Sequence, residues 1–547
     1  MRTAILALVA LAFAGCDRPA PADLVIIGRV WTGDSLAPRA DAVAIRGDRV
    51  VYVGDSAGAL RLGGRHARLI RGAFVAPGFG DTHTHFIDGG IQLASVDLRS
   101  ADTPQEFTRR IKAYAGRLAP GEWVTQGMWD HEAWGGSLPD RSWIDSVTPN
   151  NPVFVSRLDG HMGLANSAAL KLAGFDRHAR PIPGGTIVRR PDGELSGVLK
   201  DEAMGPIFRV LPDPSPAQAD SAVSRASHWA AAHGMTTLDA VAVSRLEYAA
   251  LVRAQQAGRL VTRVHAYPAL GSWRWVATDL PRPAAGGGDL LVVGGVKGFV
   301  DGSLGSTTAW FFEPYTDAPR DRGFLTTPAE SLAAWIGAAD SAGLQVVVHA
   351  IGDRANALLL DIYDSVATAH GPRDRRFRIE HAQHLRAADI PRFALQGVIA
   401  SMQPYHAADD GRWADKRIGA ERSRTTYAFR SLLDAKARLA FGSDWTVAPL
   451  DPLAGMQAAV TRQTLDGKHP EGWVPEQRIM VDEALRAYTS GVAYAHFRED
   501  QEGVLRPGML ADVVVIDRDI TADPVEGIDR ARVVATVLGG KVVYTRP

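Results

Sequence analysis

Four short apolar segments of this chain each stop on a side chain able to hold a metal ion. Residues 345–348 run into His349, residues 378–380 into His381, residues 438–443 into Asp444, and residues 291–296 into Lys297. A fifth run, residues 74–81, leads into His83-Thr84-His85. Side chains alternate faces along an extended strand, so His83 and His85 point the same way and two imidazoles can reach one ion. Buried strands separated by helical stretches imply a parallel sheet, and a closed eight-stranded barrel gathers the carboxyl ends of its strands around one mouth. The expectation is an α/β chain whose core is a (β/α)8 barrel, with ligands from five strands meeting there.

The stretches between these runs carry helix signals. Thr327-Pro328-Ala329-Glu330 reads as an N-cap, a proline at the first helical position and an early acid, with Gly343 closing the segment. Ser215-Pro216 opens another helix, running to Gly234 just before the strand-like residues 235–239. The alternation of strand and helix is clearest between residues 234 and 490.

The two ends of the chain look different. Residues 23–75 hold two apolar runs and a hairpin turn at Gly47-Asp48, and residues 503–547 hold two more runs. Neither end has enough strands to bury a face alone, so the two are expected to pair as one discontinuous β-sandwich beside the barrel domain, residues 76–502. Residues 86–233 exceed any ordinary connection and should form a subdomain inserted after the first barrel strand, over the mouth. Trp123, Trp129, Trp134 and Trp143 fall there, either as the insert's own core or as an apolar wall for a ligand. His161 is the leading substrate contact, because Gly160 and Gly163 let the backbone approach closely. Trp129, Asp301 and Trp445 are the other candidates. His384, three residues after His381, either touches substrate or lies in a loop.

Met1-Arg2-Thr3 and the apolar residues 4–14 have the charge and length of a secretory signal and are too short to span a bilayer. The signal, residues 1–15, ends before Cys16, the only cysteine among 547 residues. Small residues before that cysteine are similar to a bacterial lipobox, which implies a lipid on Cys16, a tether over residues 16–22, and an exported, membrane-anchored lipoprotein on the periplasmic side. Without lipidation the chain would be free in the periplasm. With Cys16 consumed no disulfide can form within one chain. The 60 basic side chains balance 61 acidic ones, which argues against nucleic acid or another polyanion as partner. A small-molecule substrate, membrane contact through lipid only, and a homo-oligomer are the partners left open.

The ordered set His-x-His, Lys, His, His, Asp resembles the two-metal signature of the metal-dependent amidohydrolase superfamily. Residues 77–85, Val296-Lys297 with residues 301–306, residues 349–353, Glu380-His381 and Gly442-Ser443-Asp444-Trp445 are similar to the amidohydrolase family 3 branch that contains N-substituted formamide deformylase. The resemblance implies that His83 and His85 bind the more buried of two divalent ions, zinc being the expected metal, and that His349 and His381 bind the more exposed one. It implies that Asp444 contacts the buried ion and shuttles protons. Lys297 would bridge both ions after carbamylation by carbon dioxide, a reaction that needs the neutral amine favoured by burial. Two ions about 3.5–4 Å apart can hold a hydroxide between them and lower the pKa of water from 15.7 to about 7.

The expected activity is hydrolysis of non-peptide carbon–nitrogen bonds in an N-formyl or N-acyl amine or a cyclic amide. The same site would serve an ester, lactone or phosphotriester hydrolase. A deaminase fits less well, because one-metal deaminases of the superfamily lack the bridging lysine. A lipoprotein that binds a solute without turning it over is the non-enzymatic alternative, and the proton shuttle at Asp444 argues against it.

Overall fold

The computed structural model describes residues 21–281, 290–522 and 525–547; the expected signal and Cys16 lie outside them. The chain is a mixed α/β fold. Its parallel strands form two arcs, one ordered Leu291–Val293, Arg263–Pro268, Met235–Val243, Phe79–Thr84, the other Gly295–Phe299, Gln345–Ala350, Arg378–His381, Ile399–Met402, Arg438–Phe441. The ladders do not run continuously around a ring. Isolated parallel bridges, Thr84 to Trp445 and Ala269 to Lys297, link the facing edges.

The run expected to end on Lys297 is split at Gly294. A Cβ there would stand 2.4 Å from the Tyr267 ring, so only glycine lets the chain pass that ring and change its ladder partner. The segment before Gly294 pairs with Arg263–Pro268 and the segment after it with Gln345–Ala350.

Local signals explain the helices that space the strands. Ser215 and Gln218 form a reciprocal capping box at the start of helix Pro216–Ala232, which offers Ala222, Val223, Ala226 and Ala230 to the core. Helix Ala329–Ser341 starts one residue later than the Thr327 reading, with Pro328 as its cap. Among the described residues no helix is long and apolar enough to cross a membrane.

The chain ends meet in one seven-stranded sheet, in which Arg68–Pro77 pairs antiparallel with Val513–Ile516. The two ends are thus joined edge to edge by hydrogen bonds and do not form separately bonded sheets. Gly47-Asp48 turns the hairpin between Arg39–Arg46 and Arg49–Gly54. Alternation sorts the faces: Leu24, Ile26 and Val30 enter a core shared with Val513 and Val515, whereas Val25 faces helix Ser56–Gly63. Each such fully buried side chain contributes roughly 1.5–3 kcal/mol. The end of the expected tether already belongs to this fold, since Ala22 is buried and its N–H donates to the Leu62 carbonyl.

The long connection after Phe79–Thr84 carries its own six-stranded sheet, from Val96–Asp97 to Leu195–Asp201, and two apolar clusters. Helices Phe86–Gln92 and Pro216–Ala232, at either end of residues 86–233, pack with the parallel strands instead, so the inserted sheet occupies only the middle of that range.

Candidate metal centre

The strand ends deliver the predicted side chains to one cavity of about 430 Å³, whose wall includes His83, His85, Lys297, His349, His381 and Asp444. His83 Nε2 lies 3.1 Å from Lys297 Nζ and 3.6 Å from Asp444 Oδ1, and His85 Nε2 lies 3.4 Å from the same oxygen. The His381 ring stands 4.8 Å from that of His83 and 4.6 Å from that of His349. Asp444 and His381 reach these places from left-handed backbone, at φ 60° and 74°. Such residues cost of order 1–3 kcal/mol each and persist where the surroundings over-determine them.

Buried acceptors fix those surroundings. Asp81 accepts from the His83 and Ser443 backbone N–H groups and the Ser443 hydroxyl, tying the first strand end to the last. At Gly442 a Cβ would sit 2.5 Å from the Asp81 carboxylate, which leaves room for glycine alone. Glu380 Oε2 lies 2.6 Å from His83 Nδ1, Gln403 Oε1 lies 2.8 Å from His381 Nδ1, and the Gly302 carbonyl lies 3.0 Å from His349 Nε2. Each partner occupies one ring nitrogen and leaves the other available as a ligand.

Burial dominates the electrostatics. Desolvation, with the charge of Lys297, lowers His83 to about 4, and desolvation lowers Lys297 to about 8. Burial also lowers His349 and His381. The imidazoles of His83, His349 and His381 are therefore neutral and ligand-competent at pH 7. Burial alone would raise Asp444, but His83, His85 and His406 outweigh it and hold the carboxyl well below its usual range.

His406 has no counterpart in the sequence reading. Its Nε2 lies 3.8 Å from Asp444 Oδ2, and His381, His406 and Asp444 form a second potential ligand group beside His83, His85 and Asp444. The strand Ile399–Met402 precedes it, but Gln403 follows that strand and His406 sits a turn later on helix Pro404–Asp410, so no apolar run ends on it. His349 belongs to neither group, although it lines the same cavity.

The insert closes one side of the cavity. His161 lines it, 5.2 Å ring to ring from His349, with Nδ1 2.6 Å from Asp201 Oδ1. Burial would lower His161, but Asp201 outweighs it and raises the imidazole to about 9, so it faces the cavity as a cation. Arg157 donates to Asp130 and Asp159, and Asp159 accepts from Ser303 and Ser306, joining the insert to the loop that follows strand Gly295–Phe299.

Three proposed substrate contacts are corrected. Trp129 is fully buried in the insert's core, stacked on Trp134, and its indole N–H donates to Val155. Asp301 is fully buried and accepts from the backbone N–H groups of Trp310, Ile351 and Gly352, so it organises the loop behind His349. Trp445 packs its ring over Gly89, away from the cavity wall. His384 is spent on Thr426 and Gln383.

A second buried gathering joins Asp239, His265 and His496, with potential ligand atoms within 4.8 Å of one another. The two imidazoles stack at 3.9 Å with 16° between planes. Imidazole lone pairs lie in the ring plane, so those of stacked rings run side by side and do not meet at one ion. This group is a packing and charge cluster.

At the cavity the rings are not stacked and the donors fit a metal: the His83 and His85 planes are tilted by 59°, and both Nε2 atoms face Asp444 Oδ1, itself buried without a hydrogen-bond partner, within 3.6 Å. Neutral imidazoles, a carboxylate and a depressed lysine at the carboxyl ends of parallel strands define the class of metal-dependent hydrolases. The chain belongs to the amidohydrolase family, whose model matches residues 70–544. It is 39% identical over 539 residues to Protein LONG AFTER FAR-RED 3 of Arabidopsis thaliana, covering 96% of this chain and 92% of that one. It is 28% identical to the N-substituted formamide deformylase of Arthrobacter pascens, covering 96% and 98%. An uncharacterized metal-dependent hydrolase from Pyrococcus horikoshii superposes with a TM-score of 0.74 at 28% identity, over 92% of this chain and 98% of that one.

Proposed function

We propose that the chain hydrolyses a carbon–nitrogen amide bond of a small molecule, of the N-formyl, N-acyl or cyclic amide type. The observation that carries this reading is the meeting of His83, His85, Lys297, His349, His381 and Asp444 at one cavity wall from five separate strand ends. The deformylase relative, which by name acts on N-substituted formamides, supports the bond type. On this reading the two arcs act as one barrel, the bridges at Thr84 and Lys297 closing it.

His83, His85 and Asp444 would hold one divalent ion and His349 and His381 the other, with carbamylated Lys297 between them and His406 within reach of the second. Zinc suits this mixture of imidazole and carboxylate. Such ions polarise a carbonyl and supply a water-derived nucleophile at neutral pH. The protein's own part is positioning and proton movement. Asp444 takes the proton from the attacking water and returns it to the departing nitrogen. His161, held cationic by Asp201, donates a hydrogen bond to the substrate across from His349. The volume of about 430 Å³ admits a small molecule, and Phe208 and Leu211 give its wall an apolar portion suited to an aliphatic or aryl substituent.

The test is a panel of formamides, acyl amines, cyclic imides, lactones and phosphotriesters, offered to protein prepared with zinc and bicarbonate. Preference for the amides supports the reading, and preference for lactones or phosphotriesters replaces it. Export as a lipoprotein through Cys16 belongs to the same proposal; labelled palmitate entering the parent but not Cys16→Ser is the expected result.

A further inference from the structure

A row of buried charges leads from His83 into the protein core. Glu380 Oε2 faces His83 Nδ1 at 2.6 Å and accepts from Ser401 Oγ at 2.8 Å. Its other oxygen accepts from Arg378 Nε at 2.8 Å. Arg378 donates through Nη1 to Asp239 Oδ2 at 2.6 Å and through Nη2 to the Thr82 carbonyl at 2.7 Å. Arg378, Glu380 and Asp239 are each 0% exposed. Arg378 and Glu380, two residues apart on strand Arg378–His381, share a face, and one guanidinium thus grips both the carboxylate behind the His83 ring and the backbone beside it.

We infer that Glu380 is a positioning residue for His83, and that Arg378 and Asp239 are the brace that keeps its carboxylate in place. The inference rests on the two-ion reading above. A carboxylate accepts only, so His83 Nδ1–H donates to Glu380, which fixes the tautomer whose Nε2 lone pair faces Asp444 and Lys297. Ring orientation is fixed as well, because Ser401 and Arg378 leave Glu380 no freedom to swing. Asp239 completes the row: negative, positive, negative, then the imidazole. Its neighbour His496, at 2.5 Å, packs against the same carboxylate. The stacked histidine cluster is thereby the far footing of the brace.

The experiment measures metal affinity by chelator competition on the full chain, for the parent, Glu380→Gln, Glu380→Asp and Asp239→Asn, with thermal midpoints taken in the metal-free state. Glu380→Gln should weaken one of the two ions about 10–100-fold, the range typical for partners behind a ligand. Glu380→Asp, which keeps the charge but shortens the reach, should lose less. Asp239→Asn, which touches no ligand, should weaken the same ion by a smaller factor. A core ion pair with no part in the site would lower the metal-free thermal midpoint and leave affinity within twofold of the parent in every folded variant, and that result overturns the inference. Should Glu380→Gln fail to fold, the other two variants decide. A parent that binds no divalent ion overturns the two-ion reading itself, which separates the two failures.

Discussion

At the carboxyl ends of the parallel strands, His83, His85 and Asp444 bring ligand atoms within 4.8 Å of one another, and toward the amino ends Asp239, His265 and His496 do the same. The second group is fully buried, the first is buried except for the half-buried His85, and both combine imidazole with carboxylate. In the first, the His83 and His85 rings are tilted by 59° with centroids 5.9 Å apart, and both Nε2 atoms face one carboxylate oxygen. In the second the rings stack and their lone pairs run parallel. Residue type and proximity are alike, and ring orientation separates the candidate metal centre from the stacked histidine cluster. Orientation comes from what holds the second nitrogen: Glu380 and Gln403 stand behind His83 and His381, whereas His496 has no hydrogen-bonded partner at either nitrogen among the described residues.

Substitutions can break this comparison. Lys297→Ala should give the largest effect, abolishing turnover and lowering the metal content from two ions toward one, as measured by elemental analysis. Asp444→Asn should cost about 10²–10⁴ in kcat, the range of a lost proton shuttle. Two retained ions and full turnover in either variant would remove the distinction between the two gatherings.

Reconstitution with bicarbonate should depend on pH through Lys297. With its pKa lowered to about 8, the reactive amine form makes up roughly a tenth of the molecules at pH 7 and about half at pH 8. At a fixed concentration of dissolved carbon dioxide, activation should therefore quicken several-fold between those values in time-course assays. The linked stability has the same sign. The metal-free folded state binds fewer protons than the unfolded chain between about 8 and 10.5, so the Lys297 contribution rises as pH rises through that window.

His161→Ala should lower kcat/KM by about tenfold to a hundredfold, corresponding to one charge-assisted hydrogen bond, with metal content unchanged. His265→Ala and His496→Ala should be the mildest at the metal centre: two ions remain bound, and the cost appears as ~1–3 kcal/mol in denaturant unfolding. An ion lost from His265→Ala would make the second gathering a metal site after all.

Much of the candidate site was legible because each expected ligand closes an apolar run. His349 ends three valines, and His83-Thr84-His85 alternates as a strand must. His406 was illegible because it follows Gln403-Pro404-Tyr405 on a helix, where nothing in the spacing marks it. Trp129 misled for the opposite reason: an aromatic residue in an insert over a cavity can face either way, and packing against Phe107 and Trp134 decided it. Asp301 looked like a substrate contact, yet three backbone N–H groups claimed its oxygens.

By itself the sequence determined the strand ends, the chemistry they carry and the turn at Gly47-Asp48, because periodicity, local propensity and donor type act over a few residues. Only the tertiary structure decided that the chain ends share one sheet, that Gly294 transfers a strand from one neighbour to the next, and which nitrogen of each imidazole is free. Those outcomes depend on contacts between residues hundreds of positions apart, such as Glu380 behind His83 and Arg378 behind Glu380 and Thr82, and no local pattern encodes the direction in which a buried ring will point.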